Sequence, residues 1–302
     1  MKNASKVIPG STSSGKVLSA LAFLLPALLV YALFVLLPIG QSLVNSFRYW
    51  ESPLLPPRFC GWENYRQLLR DRVFWLALRN NVFLLVGSLL VQLPLAAGIA
   101  MLLNYQRRGR TFLRTAFFTP MVMPTAAIAV LWQYLYEPRN GICTYLMRLV
   151  IPDFSYAWLA SPETSMVWIF VTICWQYIGF HTVLFMAGLA TIPETLYEAA
   201  RLDGASEIRL NWHVILPNLK PTFAVSATLS IIGSLKYFDL VYLMGGGLPE
   251  TSREVLATYI YRLAFEESQG RFGYGSAVAV FLFLLALLVV IPLQARRVAA
   301  AG

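Results

Sequence analysis

Charge is scarce in this 302-residue chain. Only 13% of its residues are Asp, Glu, Lys or Arg, against roughly 25% in soluble domains. With 58% hydrophobic residues and a mean hydropathy of +0.61, that deficit points to an integral membrane protein. Histidine and cysteine are sparse too. His181, His213 and the widely spaced Cys60, Cys143 and Cys174 form neither a disulfide framework nor a metal-ligand set. No nucleophile–base arrangement is visible, so no catalytic site and no metal site are expected. The net charge of +9 is spread over short connections between apolar runs. It forms no basic stripe on a soluble domain, so it argues for anionic lipid and against nucleic acid.

What is abundant is apolar length. Six runs approach the roughly 20 residues that a helix needs to cross a bilayer, at about 17–38, 81–104, 115–136, 166–189, 222–244 and 274–294. The expected fold is all-α and integral to the membrane, with a tail over 1–16, a six-helix body over 17–294 and a second tail over 295–302. The first run is too long for a secretory apolar region and lacks a small-x-small cleavage site, so it reads as a retained span. Prolines at 26, 94, 120, 124 and 292 fall in or beside the runs, where packed neighbours can satisfy the freed carbonyls. Six crossings put both termini on one side. The tightest basic cluster, Arg107, Arg108, Arg110 and Arg114, sits in the shortest connection, which favours cytoplasmic termini.

The connection after the first run carries Trp62, Tyr65, Leu69 and Leu76 at helical spacing with arginines between them. This predicts an amphipathic helix at headgroup level, anchored by its aromatics. A longer polar insert, at about 190–220, separates the fourth and fifth runs. Thr191 and Glu194 have capping-box spacing, and Pro193 lies in the first turn. Asp203-Gly204 then reads as a helix stop. A second helix starts near Ser206, with Ile208, Trp212, Ile215 and Leu216 expected on one face and Pro217 at its end. Two short helices at a sharp angle follow, the first small enough at Ala199 and Ala200 to enter a groove closely.

Two tempting features carry less. Gly10–Val17 nearly spells a phosphate-binding loop, but Val17 stands where a magnesium-binding Ser or Thr belongs and no strand leads in. The chain is therefore expected to hydrolyse no ATP and to hold no cofactor of its own. Lys236 and Asp239 are three apart in the fifth run, so they are expected to share a helix face, as an ion pair or as lining of a solute path. Sugars bind aromatic faces and amide or hydroxyl groups. The candidates at membrane depth are Trp132, Gln133, Trp175, Gln176, Tyr177, His181, Tyr237 and Tyr242. His181 reads as an interhelical hydrogen bonder.

The insert resembles the EAA loop of binding-protein-dependent ABC importer permeases. The match falls on Glu198, Ala199, Ala200, Asp203, Gly204 and Ala205, then Leu216 and Pro217. Asn211 stands where an aromatic is usual and Val214 where Ile is usual. Similarity to the sugar-type permeases extends over about 18–294, through Gly61–Trp75, Phe117–Pro120, Leu131–Gln133, Phe238–Tyr242 before Gly245–Gly247, and Thr258–Phe265. The resemblance implies a type I permease of six transmembrane helices in a bacterial or archaeal plasma (inner) membrane. It implies a second related permease, two copies of an ATP-binding subunit and an extracytoplasmic solute-binding protein as partners. The first insert helix would be the coupling helix, seated in a cleft of the ATPase, and transport would run by alternating access. Two rivals stand beside this reading. A self-contained secondary transporter needs buried coupling acids, and Asp239 is alone. A membrane scaffold for a soluble partner explains the insert but not the polar residues within the spans.

Overall fold

The computed structural model describes residues 23–52, 54–105, 109–245, 251–267 and 270–301. The first tail with its Gly10–Val17 motif, Arg107, Arg108, and Gly246 and Gly247 lie outside the described residues. Among the described residues, four helices are long and apolar enough to cross a membrane: α1 (Phe23–Asn45), α3 (Arg72–Asn104), α7 (Ser165–Leu189) and the span Phe272–Leu293 of α13 (Phe272–Ala301). Two bent pairs bring the number to six if each counts as one crossing. One is α4 (Arg110–Val122) with α5 (Thr125–Leu135), and the other is α9 (Glu207–Asn218) with α10 (Lys220–Lys236).

The expected third span, 115–136, is therefore not one helix. It breaks by 101° between Val122 and Thr125. Pro124 has no N–H to donate, and it drives Met123 into an extended conformation (φ −70°, ψ 144°). The expected fifth span, 222–244, also breaks. Helix α10 stops at Lys236, Phe238 takes a non-helical conformation (φ −132°, ψ −65°), and a short α11 (Asp239–Met244) follows. Lys236 and Asp239 thus lie on two different helices and share no helix face. The second span begins about two and a half turns of helix earlier than its apolar run, at Arg72, because Asp71 accepts hydrogen bonds from the N–H groups of Val73 and Phe74 and starts the helix there.

At one end of the bundle a two-stranded antiparallel ribbon, β1 (Arg48–Tyr49) with β2 (Arg58–Phe59), leads into α2 (Glu63–Arg70). Asn64 Nδ2 donates to the carbonyls of Ser46 and Arg48, at 2.8 and 3.0 Å, and Tyr65 hydrogen-bonds Ser46. The buried side of α2 is Asn64 and Leu68, while Trp62 and Leu69 are exposed. Beside it, Asp71 Oδ2 accepts from the hydroxyls of Tyr259 and Tyr274. That carboxylate ties the start of α3 to α12 (Leu256–Tyr261) and to α13. Partial burial opposes its ionisation, but the two tyrosines and the Val73 and Phe74 amides outweigh this and hold its pKa below the usual carboxylate value. Asn80 and Asn81 fasten the same segment through Ser252, Glu254 and Leu256. Buried Glu254 and half-buried Arg262 pair at 2.8 Å.

At the opposite end, Ala96, Ala97, Ala100 and Leu103 of α3 pack with Phe185, Met186 and Leu189 of α7 and with Leu210, Ile215 and Leu219. Small residues allow this close approach. A tight crossing lies between α4 and α7, where a Cβ on Gly179 would stand 1.9 Å from the Phe117 carbonyl oxygen.

Candidate functional site: a coupling loop and a broken-helix cavity

The polar insert folds as two helices, α8 (Glu194–Leu202) and α9, around a left-handed Gly204 (φ +75°). Ala205 N donates to Ala200 O and Gly204 N to Arg201 O, both at 3.0 Å, which closes the C-terminus of α8 in a Schellman motif. Ser206 caps the next helix through Arg209 N, and Arg201 pairs with Glu207 at 3.5 Å across the turn. Tyr197 and Ala200 face the core cluster. Glu198, Ala199, Asp203 and Gly204 point outward and are exposed, and Ala205 is half-buried. The six EAA residues thus sit on one helix and its turn, which pack on α9 and, through Tyr197 and Ala200, on the core cluster that α9 forms with α3 and α7.

Two details differ from expectation. Thr191 and Glu194 form no capping box: Thr191 Oγ1 donates to Gly188 O at 2.8 Å, and Pro193 precedes α8 without a side-chain cap. The second helix buries Leu210 and Ile215, while Ile208 and Trp212 are exposed. The inward face already runs through Leu210, before the π-helical turn over Asn211–Ile215, so tertiary packing on the core cluster sets it.

The second candidate site is a cavity of about 290 Å³ where the two helix breaks meet. Met121 and Thr125 flank the Pro124 break, and Lys236, Tyr237, Phe238 and Asp239 form the other break. Non-helical backbone within a membrane is tolerated where it lines a cavity or is buried in protein, and both breaks obey that rule. Of the predicted path residues, the structure brings Tyr177, Lys236, Tyr237 and Asp239 together on this wall. The others are placed elsewhere. Trp132 and Trp175 meet edge to face, 5.5 Å between centroids, within the aromatic cluster around Tyr136. Gln133 Nε2 donates to Leu243 O at 2.8 Å and so joins α5 to α11. Tyr242 stacks on Phe238 and donates to Glu266.

His181 does bond between helices: its Nδ1 meets Ser226 Oγ at 2.6 Å and its Nε2 meets Ser230 Oγ at 3.3 Å. His181 and Ser230 also line the cavity. The serines were legible only as an i, i+4 pair of small polar residues in an apolar run. Among the described residues no three His, Cys, Asp or Glu side chains gather as a metal site.

Residues 92–300 match the family of binding-protein-dependent transport system inner membrane components. The chain belongs to this family. A probable ABC transporter permease of Pyrococcus horikoshii is 34% identical over 89% of this chain and 92% of that protein. The trehalose/maltose transport system permease MalF of Thermococcus litoralis is 32% identical over 87% and 88%. In structure, the permease superimposes on a chain of a bacterial ABC transporter involved in import of the acidic polysaccharide alginate. That match has a TM-score of 0.79 at 25% identity and covers 93% of this chain and 95% of the other. The six-span permease architecture expected from the EAA loop is the architecture found. The broken third and fifth crossings are variations within it.

Proposed function

We propose that this permease is a non-catalytic, solute-conducting subunit of an ATP-driven importer for an oligosaccharide or a related polar solute. The observation that carries the coupling half is the exposed α8, closed at its C-terminus by the Schellman turn, which offers Glu198, Ala199 and Asp203 to a partner while Tyr197 and Ala200 root it in the bundle. A rigid helix seated in a groove moves with that groove. ATP-driven closure of two partner ATPases would pass through α8 to α9 and to the core cluster that α9 forms with α3 and α7. The ATPases hold ATP and magnesium, a second related permease completes the path, and an extracytoplasmic binding protein delivers solute. Termini are cytoplasmic in this arrangement, which puts the EAA loop on the ATPase side.

The solute class is supported by the relatives, one named for trehalose and maltose and another for alginate. It is also supported by the cavity wall, which mixes the tyrosine rings of Tyr177 and Tyr237 with the polar heads of Lys236 and Asp239. Trp132, Gln133, Trp175 and Tyr242 act one layer back in this reading, bracing the helices that frame the path.

Glu198→Ala tests the proposal in vesicles carrying the complete assembly. Solute uptake should fall to background, and the ATPase should wash off during purification while the permease pair stays intact. Undiminished uptake with ATP omitted would overturn the reading in favour of a secondary transporter.

A further inference from the structure

The loop joining α5 to α7, residues 136–164, lies outside the spans yet shows a continuous apolar stripe. It contains α6 (Ile142–Arg148). Ile142, Tyr145, Leu146 and Leu149 fall at i, i+3, i+4 and i+7 and are all more than half exposed, and Val150 and Ile151 prolong the row. The opposite side of α6 faces inward: Thr144 is fully buried, and Cys143 and Met147 pack on the aromatic core. The row is mounted on a stiff base. Arg148 donates to the Phe154 and Arg139 carbonyls at 2.8 and 2.9 Å. Trp158 Nε1 donates to Thr144 Oγ1, which itself donates to Glu137 O. Connecting segments ordinarily present polar surface to water, so a braced apolar row calls for an occupant.

We propose that this row is an interfacial anchor, lying in the headgroup–acyl boundary of the bilayer at this end of the bundle. Continuity with the lipid-facing surface of the spans identifies the occupant. Helices α5 and α7, which the loop connects, expose Val130, Tyr134, Val167 and Val171. Only six residues separate Leu135, the last of α5, from Ile142, and the Gly141 N–H to Glu137 O bond turns the chain back at once. The stripe therefore begins within a turn or two of the hydrocarbon. Over the whole loop, 136–164, Arg139 and Arg148 are outnumbered by Glu137, Asp153 and Glu163, so the anchoring is apolar and not electrostatic, and interfacial helices of this kind sink roughly 5–10 Å into the boundary. The inner side of α6 packs on the cluster of Tyr136, Trp158 and Trp168 that also receives α5. The depth of the anchor thereby fixes the height of α5 and of the Pro124 break at its foot. The inference rests on membership of a membrane-embedded family and not on the solute carried.

Nitroxide scanning of the complete transporter tests it. Single cysteines replace Ile142, Tyr145, Leu146, Leu149 and Val150 in turn, in a chain carrying Cys60→Ser, Cys143→Ser and Cys174→Ser, with exposed Ser155 as the aqueous reference. The assembly is placed in phosphatidylcholine–phosphatidylglycerol vesicles, and spin relaxation by oxygen is compared with relaxation by a nickel chelate. The oxygen-to-nickel ratio should be several-fold higher at the five stripe positions than at Ser155. Ratios equal to that of Ser155 would mean a free aqueous surface. Exclusion of both reagents would mean a protein partner. Either result overturns the proposal. Retained ATP-driven uptake by each labelled variant certifies that the reading comes from folded protein.

Discussion

Gly204 holds φ at +75°, a left-handed conformation that costs a side-chain-bearing residue about 1–2 kcal/mol. A Cβ there would meet nothing within 4 Å, so the cost of substitution is conformational and not steric. Gly204→Val should therefore leave the bundle folded and loosen only the turn that orders α8. Its expected effect is an association with the ATPase roughly 5- to 30-fold weaker, the factor that 1–2 kcal/mol represents, read by titrating purified ATPase onto the permease pair. Unchanged affinity would show that the ordered turn is dispensable. Asp71 makes a different residue-scale prediction. Its folded pKa lies below the usual carboxylate value, so its contribution to stability is present above the unfolded pKa of about 4 and is lost as pH falls through the lower, folded value. Thermal unfolding of the purified permease from pH 6 down to pH 3 should show a falling midpoint, and Asp71→Asn should flatten part of that slope.

At the scale of elements, the apolar runs announced how many crossings to expect and little about their shape. The fourth run, 166–189, became α7 within a residue of its predicted limits, because no proline interrupts it and its hydrophobicity stops where the polar insert starts. The third failed at Pro124, although the proline itself was plain. Hydropathy measures length, and a 101° bend depends on which neighbours accept the freed backbone groups. The break at Tyr237-Phe238 carries no proline or glycine, so nothing local announced it. The EAA turn was legible at each of its positions because capping is a short-range code. The buried face of α9 was not, since the core cluster takes Leu210 and Ile215 while Ile208 and Trp212 stay exposed. The α4–α7 crossing offers a direct test of packing as the cause of element placement. Gly179→Val puts a side chain against the Phe117 backbone, which cannot rotate away, and overpacking of this kind costs about 1–3 kcal/mol. The thermal midpoint should drop, while uncoupled ATPase docking at the distant α8 stays intact at permissive temperature.

On the scale of the whole molecule, α7 runs past the aromatic cluster, the cavity and the coupling-loop end. Its 25 residues span about 37 Å at 1.5 Å per residue. Trp168 and Ile169 stand in the aromatic cluster at one end, Tyr177 and His181 wall the cavity midway, and Phe185 to Leu189 carry the coupling loop at the other. A movement of α8 has a route to the cavity through α7 and through α10, which continues from α9 and is clasped to α7. The clasp nearest α8 is tight: a Cβ on Gly188 would stand 2.3 Å from Thr222 Oγ1 and 3.1 Å from Leu219 Cδ2. The clasp nearest the cavity is His181 with Ser226 and Ser230 on α10. If α7 and α10 move as one body, prying them apart at Gly188 should separate ATP hydrolysis from solute movement. Gly188→Val is expected to bind the ATPases and support hydrolysis while uptake per ATP falls several-fold. Adding Thr222→Ala makes room for the new side chain and should restore much of the coupling. Parallel loss of hydrolysis and uptake in Gly188→Val, with no rescue by the second change, would show instead that the crossing matters only for folding, and that force reaches the cavity through α3.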